Sequence, residues 1–249
     1  MRYTVFSAML LGPRTQQEDC IIDGIDLFQS NQWNGEKIID TDFLLLGVCD
    51  GMGGHDQGEI ASRFVCEQLK HKFNRTMFSA QKVKTRLTEI QEAAQKYLPK
   101  NSGTTVAGLM IMDGQTIGFN AGDSRIYKIS KSKMEYISHD HSLVQGLVDK
   151  SFIQQNTAPF HPLKNIIDFG IGPLFNDAWK NFNIHIFEET ISKDDGYLLC
   201  SDGVNDLMNE TEIHELLMPS PIENGNILLQ ALQKKGLKDN TSFIILQIH

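Results

Sequence analysis

The segment Leu44-Leu45-Leu46-Gly47-Val48-Cys49 is apolar without alternation and stops at Asp50-Gly51-Met52-Gly53-Gly54. A run of this kind suits a strand covered on both faces, so the chain around it has to fold in layers. The strand hands a carboxylate to a loop in which three glycines in four residues let backbone approach whatever the Asp holds. Much later in the chain Tyr197-Leu198-Leu199-Cys200-Ser201-Asp202-Gly203 has the same form. Two strands that each end in Asp-Gly can aim two carboxylates at one point.

Asp-Gly is also the commonest mark of a tight hairpin turn, and the chain has five such pairs. Asp113-Gly114 lies between two apolar runs in the hairpin pattern, and Asp23-Gly24 and Asp195-Gly196 have similar turn settings. Taken alone, Asp50 or Asp202 reads as a turn more readily than as a ligand. Their company changes that reading.

A first strand is predicted over Tyr3 to Leu11, leading into Gly12-Pro13-Arg14-Thr15-Gln16-Gln17-Glu18-Asp19, with an apolar rhythm resuming from Ile21 to Phe28. Ile60, Ala61, Phe64, Val65, Leu69 and Phe73 recur at helical spacing and predict a helix covering a sheet. Ser79 can cap a second helix with Val83, Leu87, Ile90, Ala94 and Tyr97 on one face until Pro99. The hairpin at Asp113-Gly114 has a second strand ending in Asn120-Ala121-Gly122-Asp123-Ser124-Arg125, a third strand closing on Gly-Asp. Residues 138–173 are the least sheet-like part. There His139 and His141 fall on one face of an extended segment, open to reading as a metal pair or as hydrogen-bonded loop histidines.

Strand character returns over Asn181 to Glu188 and Gly196 to Ser201, followed by a helix at Glu210 to Leu217. Ser220-Pro221-Ile222-Glu223 has the form of a capping box with Pro at the first helical position, for a last helix ending at Gly236. Asp239 then stands just ahead of a closing strand. Strands, helices and strands again, without regular alternation, favour a mainly antiparallel α+β sandwich over a doubly wound sheet.

With 249 residues, 41% of them hydrophobic, and no Pro/Ser-rich linker, one domain over 1–249 is expected. A net charge of -8 argues against a nucleic-acid partner. Cys20, Cys49, Cys66 and Cys200 have neither zinc nor disulfide spacing, which fits free thiols in a reducing cytoplasm. Cys49 and Cys200 lie next to or near Asp50 and Asp202, which reads as simple packing ahead of a site that oxidation could disturb. The apolar stretch Val5 to Leu11 is too short to span a membrane and lacks a signal-peptide cleavage pattern.

Six acids, Glu18, Asp19, Asp50, Asp123, Asp202 and Asp239, therefore lie at strand ends. Brought together they would repel and raise one another's pKa values, a cost that hard divalent cations relieve. Mg²⁺ and Mn²⁺ prefer carboxylate, carbonyl and water oxygens. In order along the chain stand Arg14 to Asp19, Val48-Cys49-Asp50-Gly51-Met52-Gly53-Gly54-His55, Ser102-Gly103-Thr104-Thr105, Ala121-Gly122-Asp123-Ser124-Arg125, Asp140-His141-Ser142-Leu143-Val144, His161-Pro162, Leu199-Cys200-Ser201-Asp202-Gly203 and Lys238-Asp239-Asn240. The set resembles the metal-dependent protein serine/threonine phosphatases of the protein phosphatase 2C type, in their compact bacterial form.

The resemblance implies an α-β-β-α four-layer sandwich of two mainly antiparallel sheets flanked by helices, with a metal site at one end and a variable flap over about residues 139–180. It implies two Mn²⁺ or Mg²⁺ ions bridged by Asp50. Glu18 and the Gly51 carbonyl would complete one ion's shell and Asp202 and Asp239 would hold the other, while Asp123 supports a weaker third ion with help from Asp202. Asp19 would orient ligands or waters, and Arg14 would grip the phosphate bidentately. The reaction implied is in-line attack of a metal-bridged hydroxide on phosphoserine or phosphothreonine, reversing a Hanks-type kinase, by a cytoplasmic monomer.

Met52 stands where many eukaryotic relatives carry a His, so no general acid transfers to it. Gln17 replaces the commoner Asn, Asp168-Phe169 stands where a basic residue is frequent, and His55 is usual in the bacterial motif without a catalytic role. Rival readings are a pseudophosphatase acting as a phosphoprotein-binding module and a two-metal nuclease.

Overall fold

The structure is a computed structural model that describes residues 1–53, 57–130, 133–192 and 195–249. In chain order the strands are β1 (Arg2–Leu10), β2 (Asp19–Asp23), β3 (Leu27–Phe28), β4 (Gln32–Asp40), β5 (Phe43–Gly53), β6 (Ser102–Thr104), β7 (Val106–Met112), β8 (Gln115–Ala121), β9 (Arg125–Ile129), β10 (Met134–Tyr136), β11 (His185–Thr190), β12 (Gly196–Cys200) and β13 (Thr241–Ile248). The helices are α1 (Gly58–Lys72), α2 (Ala80–Tyr97), α3 (Leu143–Asp149), α4 (Asp202–Asn205), α5 (Glu210–Leu217) and α6 (Gly225–Lys235). One sheet runs β10-β9-β12-β13-β1-β4, the other β11-β8-β7-β5-β2-β3, and β6 adds to the far end of β5. Every strand pair is antiparallel.

The unbroken apolar run of β5 is explained by burial on both of its faces. Leu44, Leu46 and Val48 enter the core between the sheets with Tyr3, Val5, Leu109, Ile244 and Leu246. Leu45 and Cys49 point the other way, into a layer closed by Ala61, Val65 and Leu69 of α1 and Val83, Leu87 and Ile90 of α2. Beyond the first sheet, Ile213, Leu217, Leu228 and Leu232 of α5 and α6 pack on Phe6, Leu198, Phe243 and Ile245. The expected α-β-β-α sandwich is the observed architecture. No helix among the described residues is long and apolar enough to cross a membrane.

Ser79 caps α2 by accepting from the Lys82 N–H at 3.4 Å. Some local expectations fail. Ile60 and Tyr97 are exposed at 46% and 66%, because the buried stripes run through Ala61-Val65-Leu69 and Val83-Leu87-Ile90-Ala94. The Ser220 box does not form: Pro221 to Asn224 make a turn and α6 begins at Gly225. At that start the helix lies close against the sheet, since a Cβ on Gly225 would sit 2.7 Å from the Phe6 ring. The capping box occurs instead at Asn209 and Glu212, opening α5. The strand predicted from Asn181 begins only at His185.

Candidate active site

β2 and β5 pair so that Asp19 lies directly opposite Asp50. Asp50 is fixed through its backbone: its N–H donates to Thr105 Oγ1 at 3.0 Å, and its carbonyl accepts from Thr104 Oγ1 at 2.8 Å and the Thr105 N–H at 2.9 Å. Thr105 Oγ1 also meets Ser124 Oγ at 2.6 Å, drawing in the loop after β8 that carries Asp123. That loop turns at Gly122, where φ is +101° and a Cβ would sit 2.6 Å from Thr105 Cγ2.

Asp202 opens α4 directly after β12. A Cβ on the next residue, Gly203, would lie 2.2 Å from the Asn240 carbonyl, so the Asp202 turn is pressed onto the segment bearing Asp239. Asn240 then joins three pieces of chain: its Oδ1 accepts from the Glu18 N–H and its Nδ2 donates to the Leu11 carbonyl, both at 2.8 Å. The Glu18 carboxylate reaches over Gly58, whose absent Cβ would fall 2.5 Å from Oε1. The Gly51 N–H donates to the Glu18 carbonyl at 3.0 Å. Strand ends from both sheets thus bring Glu18, Asp19, Asp50, Asp123, Asp202 and Asp239 to one end of the sandwich.

Burial is the main cause of the site's unusual acidity. It pushes Asp50 and Asp123 well above the carboxylate range, reinforced for Asp50 by Asp19, Asp202 and Asp123 and for Asp123 by Asp202 and Asp140. Asp202 is pushed up to about 6 by burial and by Asp206 and Asp239. Asp19 is pushed up to about 7 by burial, partly opposed by the Ser242 and Ser201 hydroxyls, with Asp202 adding repulsion. Ser201 Oγ donates to Asp19 Oδ2 at 3.0 Å and accepts from the Ser242 N–H at 3.0 Å. Asp19 Oδ1 and Asp123 Oδ1 are buried without a hydrogen-bond partner among the described residues.

The donor set suits hard divalent ions: oxygen ligands only, concentrated, and with buried lone pairs unused. As the side chains stand, no three such ligands among the described residues meet at coordinating range. The arrangement of Arg14 bears on that. Its Nη2 donates to Asp239 Oδ2, so the side chain expected on phosphate is here paired with an expected ligand. Glu18 and Asp50 add to the field that raises the Arg14 pKa.

Of the other sequence candidates, His139 and His141 are hydrogen-bonded: His139 Nε2 to Asp149 Oδ2 and His141 Nε2 to the Asn183 carbonyl, each at 3.0 Å. Phe169 is fully buried against His141, Trp179 and Phe182, so it belongs to the flap's core. Met52 pairs with Gly103, and His55 lies outside the described residues. Gln17 is buried and accepts the Asp19 N–H at 3.0 Å. All four cysteines are buried and free. The supports Asn240, Thr105, Ser201 and Ser124 were not singled out by sequence reasoning, although all lie in or beside the quoted motifs. Lys164 was also missed: from the flap it pairs with Asp206, one turn beyond Asp202. Arg125 grips Asp140 through Nε and Nη2 and is therefore structural.

The family description "Protein phosphatase 2C" matches residues 34–225. The chain belongs to the protein phosphatase 2C family. Relatives of this phosphatase include serine/threonine phosphatase stp of Listeria welshimeri, 29% identical over 213 residues, which are 80% of this chain and 82% of the relative. Among solved structures, the serine/threonine phosphatase Stp1 from Staphylococcus aureus superposes with a TM-score of 0.79 at 27% identity, covering 98% of this chain and 94% of that one. The catalytic domain of the phosphatase PstP, in complex with two manganese ions, gives 0.75 at 23% over the full length of both chains. The expected bacterial 2C phosphatase is borne out in family and fold.

Proposed function

We propose that this 2C phosphatase removes phosphate from phosphoserine and phosphothreonine in proteins with the help of two Mn²⁺ or Mg²⁺ ions, opposing a Hanks-type kinase. The observation that carries the metal dependence is the gathering of Asp19, Asp50, Asp123 and Asp202, with raised pKa values and two unpartnered buried oxygens. Glu18, the Gly51 carbonyl and Asp50 would hold one ion, Asp50, Asp202 and Asp239 the other, and Asp123 a weaker third with Asp202. Bound ions of this class lower the pKa of water and clamp a phosphoryl group.

The chain's own residues set the geometry. Thr104 and Thr105 hold the Asp50 backbone in place at the end of β5. Asp19 is held by Ser201 and orients the neighbouring carboxylates or waters. Arg14, with its side chain about half exposed, is free to leave Asp239 and take two phosphate oxygens, which its planar fork fits. That exchange releases Asp239 as the phosphate binds. Met52 has no proton to give, so the leaving oxygen takes its proton from water.

The test is hydrolysis of a phosphothreonine peptide with Mn²⁺, with Mg²⁺ and after chelation, alongside Asp50→Asn and Asp239→Asn. Metal-dependent turnover lost in both variants is expected. A folded protein without turnover in either metal would instead mark a phosphoprotein-binding module.

A further inference from the structure

A groove of about 450 Å³ runs beside the site, lined by Leu10, Gly12, Asn31, Gln32, Gln233 and Leu237. No ionisable side chain among the described residues lines it, in a chain whose net charge is -8. It adjoins the segments that carry Arg14 and Asp239. Gly12 lies two residues before Arg14 and Leu237 two before Asp239, and a Cβ on Gly12 would fall 2.4 Å from the Asp239 carbonyl oxygen. Two residues span at most about 7 Å, so the Cα atoms of Arg14 and Asp239 lie within that reach of the groove's lining.

We propose that this groove takes an uncharged, extended segment of the phosphoprotein immediately flanking the phosphorylated residue. The proposal rests on the phosphatase reading above and adds where the polypeptide of the substrate lies. Three features choose this occupant. Leu10 and Leu237 give an apolar floor, and the primary amides of Asn31, Gln32 and Gln233 can both donate to and accept from a peptide backbone without selecting charge. Gln32 is also the first residue of β4, which ends its sheet and has no strand on its outer side among the described residues. An extended segment can follow such an edge. A charged residue would find no countercharge in the lining. The exposed apolar residues of the flap, Phe152 and Phe160, are a separate surface that this proposal does not use.

The experiment compares phosphothreonine peptides carrying Val, Asp or Lys at each of the two positions on either side, in wild type and in Gln32→Trp and Gln233→Trp, whose parent residues are exposed. Turnover of para-nitrophenyl phosphate, which has no peptide arm, normalises each kcat/KM. On one side of the phosphothreonine, wild type should favour Val over Asp and Lys by roughly tenfold, the scale on which an apolar pocket discriminates. Filling the groove with either Trp should abolish that preference. Turnover of both substrate types without the preference, or a preference that survives both Trp variants, overturns the groove assignment alone. Absence of turnover for both types overturns the phosphatase reading with it.

Discussion

Replacing Asp19 by Asn should stabilise the chelated protein at pH 8 far more than at pH 5. Asp19 is wholly buried, with its pKa raised from 3.8 to about 7. An acid raised in this way favours the fold fully below about pH 4, and that contribution is lost as pH rises through about 7. Relative to the acid limit, withholding from Asp19 the ionisation open to it in the unfolded chain costs on the order of 4 kcal/mol at pH 8 and roughly 1 to 2 kcal/mol at pH 5. Asn carries no charge at either pH, and its packing or hydrogen-bonding defects are the same at both. The difference between the two pH values therefore isolates the electrostatic part, at roughly 2 to 3 kcal/mol. Urea denaturation of wild type and Asp19→Asn in EDTA at pH 5 and pH 8 measures it directly, provided m is unchanged. An equal effect of the substitution at both pH values would refute the reasoning, because the buried carboxylate would then carry no raised pKa.

The same acids bear on metal binding: Mn²⁺ affinity should rise between pH 6 and pH 8 with net proton release, read by calorimetry in buffers of different ionisation enthalpy. Zero release at pH 6 would contradict the raised values of Asp19, Asp50 and Asp123. Arg14→Ala should lower kcat/KM for a phosphopeptide by on the order of 100-fold, and Arg14→Lys should restore little of it because an ammonium lacks the planar fork. Full recovery with Lys would deny the bidentate contact. Gly51→Ala should destabilise the protein by about 3 kcal/mol, because its Cβ would lie 2.1 Å from the Gly58 carbonyl oxygen, a backbone atom that cannot swing aside as a side chain would. Thermal melting with chelator present checks this without reference to activity, and an unchanged melting temperature would show that the loop adjusts freely.

The layered fold was legible because β5 reads as one uninterrupted apolar run, which only a strand with cores on both faces needs. Asp50 and Asp202 were legible for the same reason, each being the first charge after such a run. What the sequence could not convey was pairing across distance. Nothing local to Asp19 or Asp50 says that they stand opposite each other, and nothing local to Asn240 says that its amide holds Glu18 and Leu11 together. The Ser220 box satisfied the local rule for a helix start and still failed: residues 221–224 form a turn and α6 begins at Gly225, packed close to Phe6. Ile60 and Tyr97 were assigned to buried faces because helical spacing alone does not fix which edge of an apolar stripe meets the sheet.

β13, which follows Asp239 and Asn240, is inserted between β1 and β12 in the interior of its sheet. Tyr3 pairs with Ile248, so the two halves of the carboxylate set are joined across almost the whole length of the chain. Contacts of such high sequence separation form slowly and late. On the ribosome, a nascent chain would hold Asp19 and Asp50 in place with Asp239 still inside the exit tunnel. Phosphatase activity should then appear in one step after Thr241–Ile248 emerges, never gradually during synthesis.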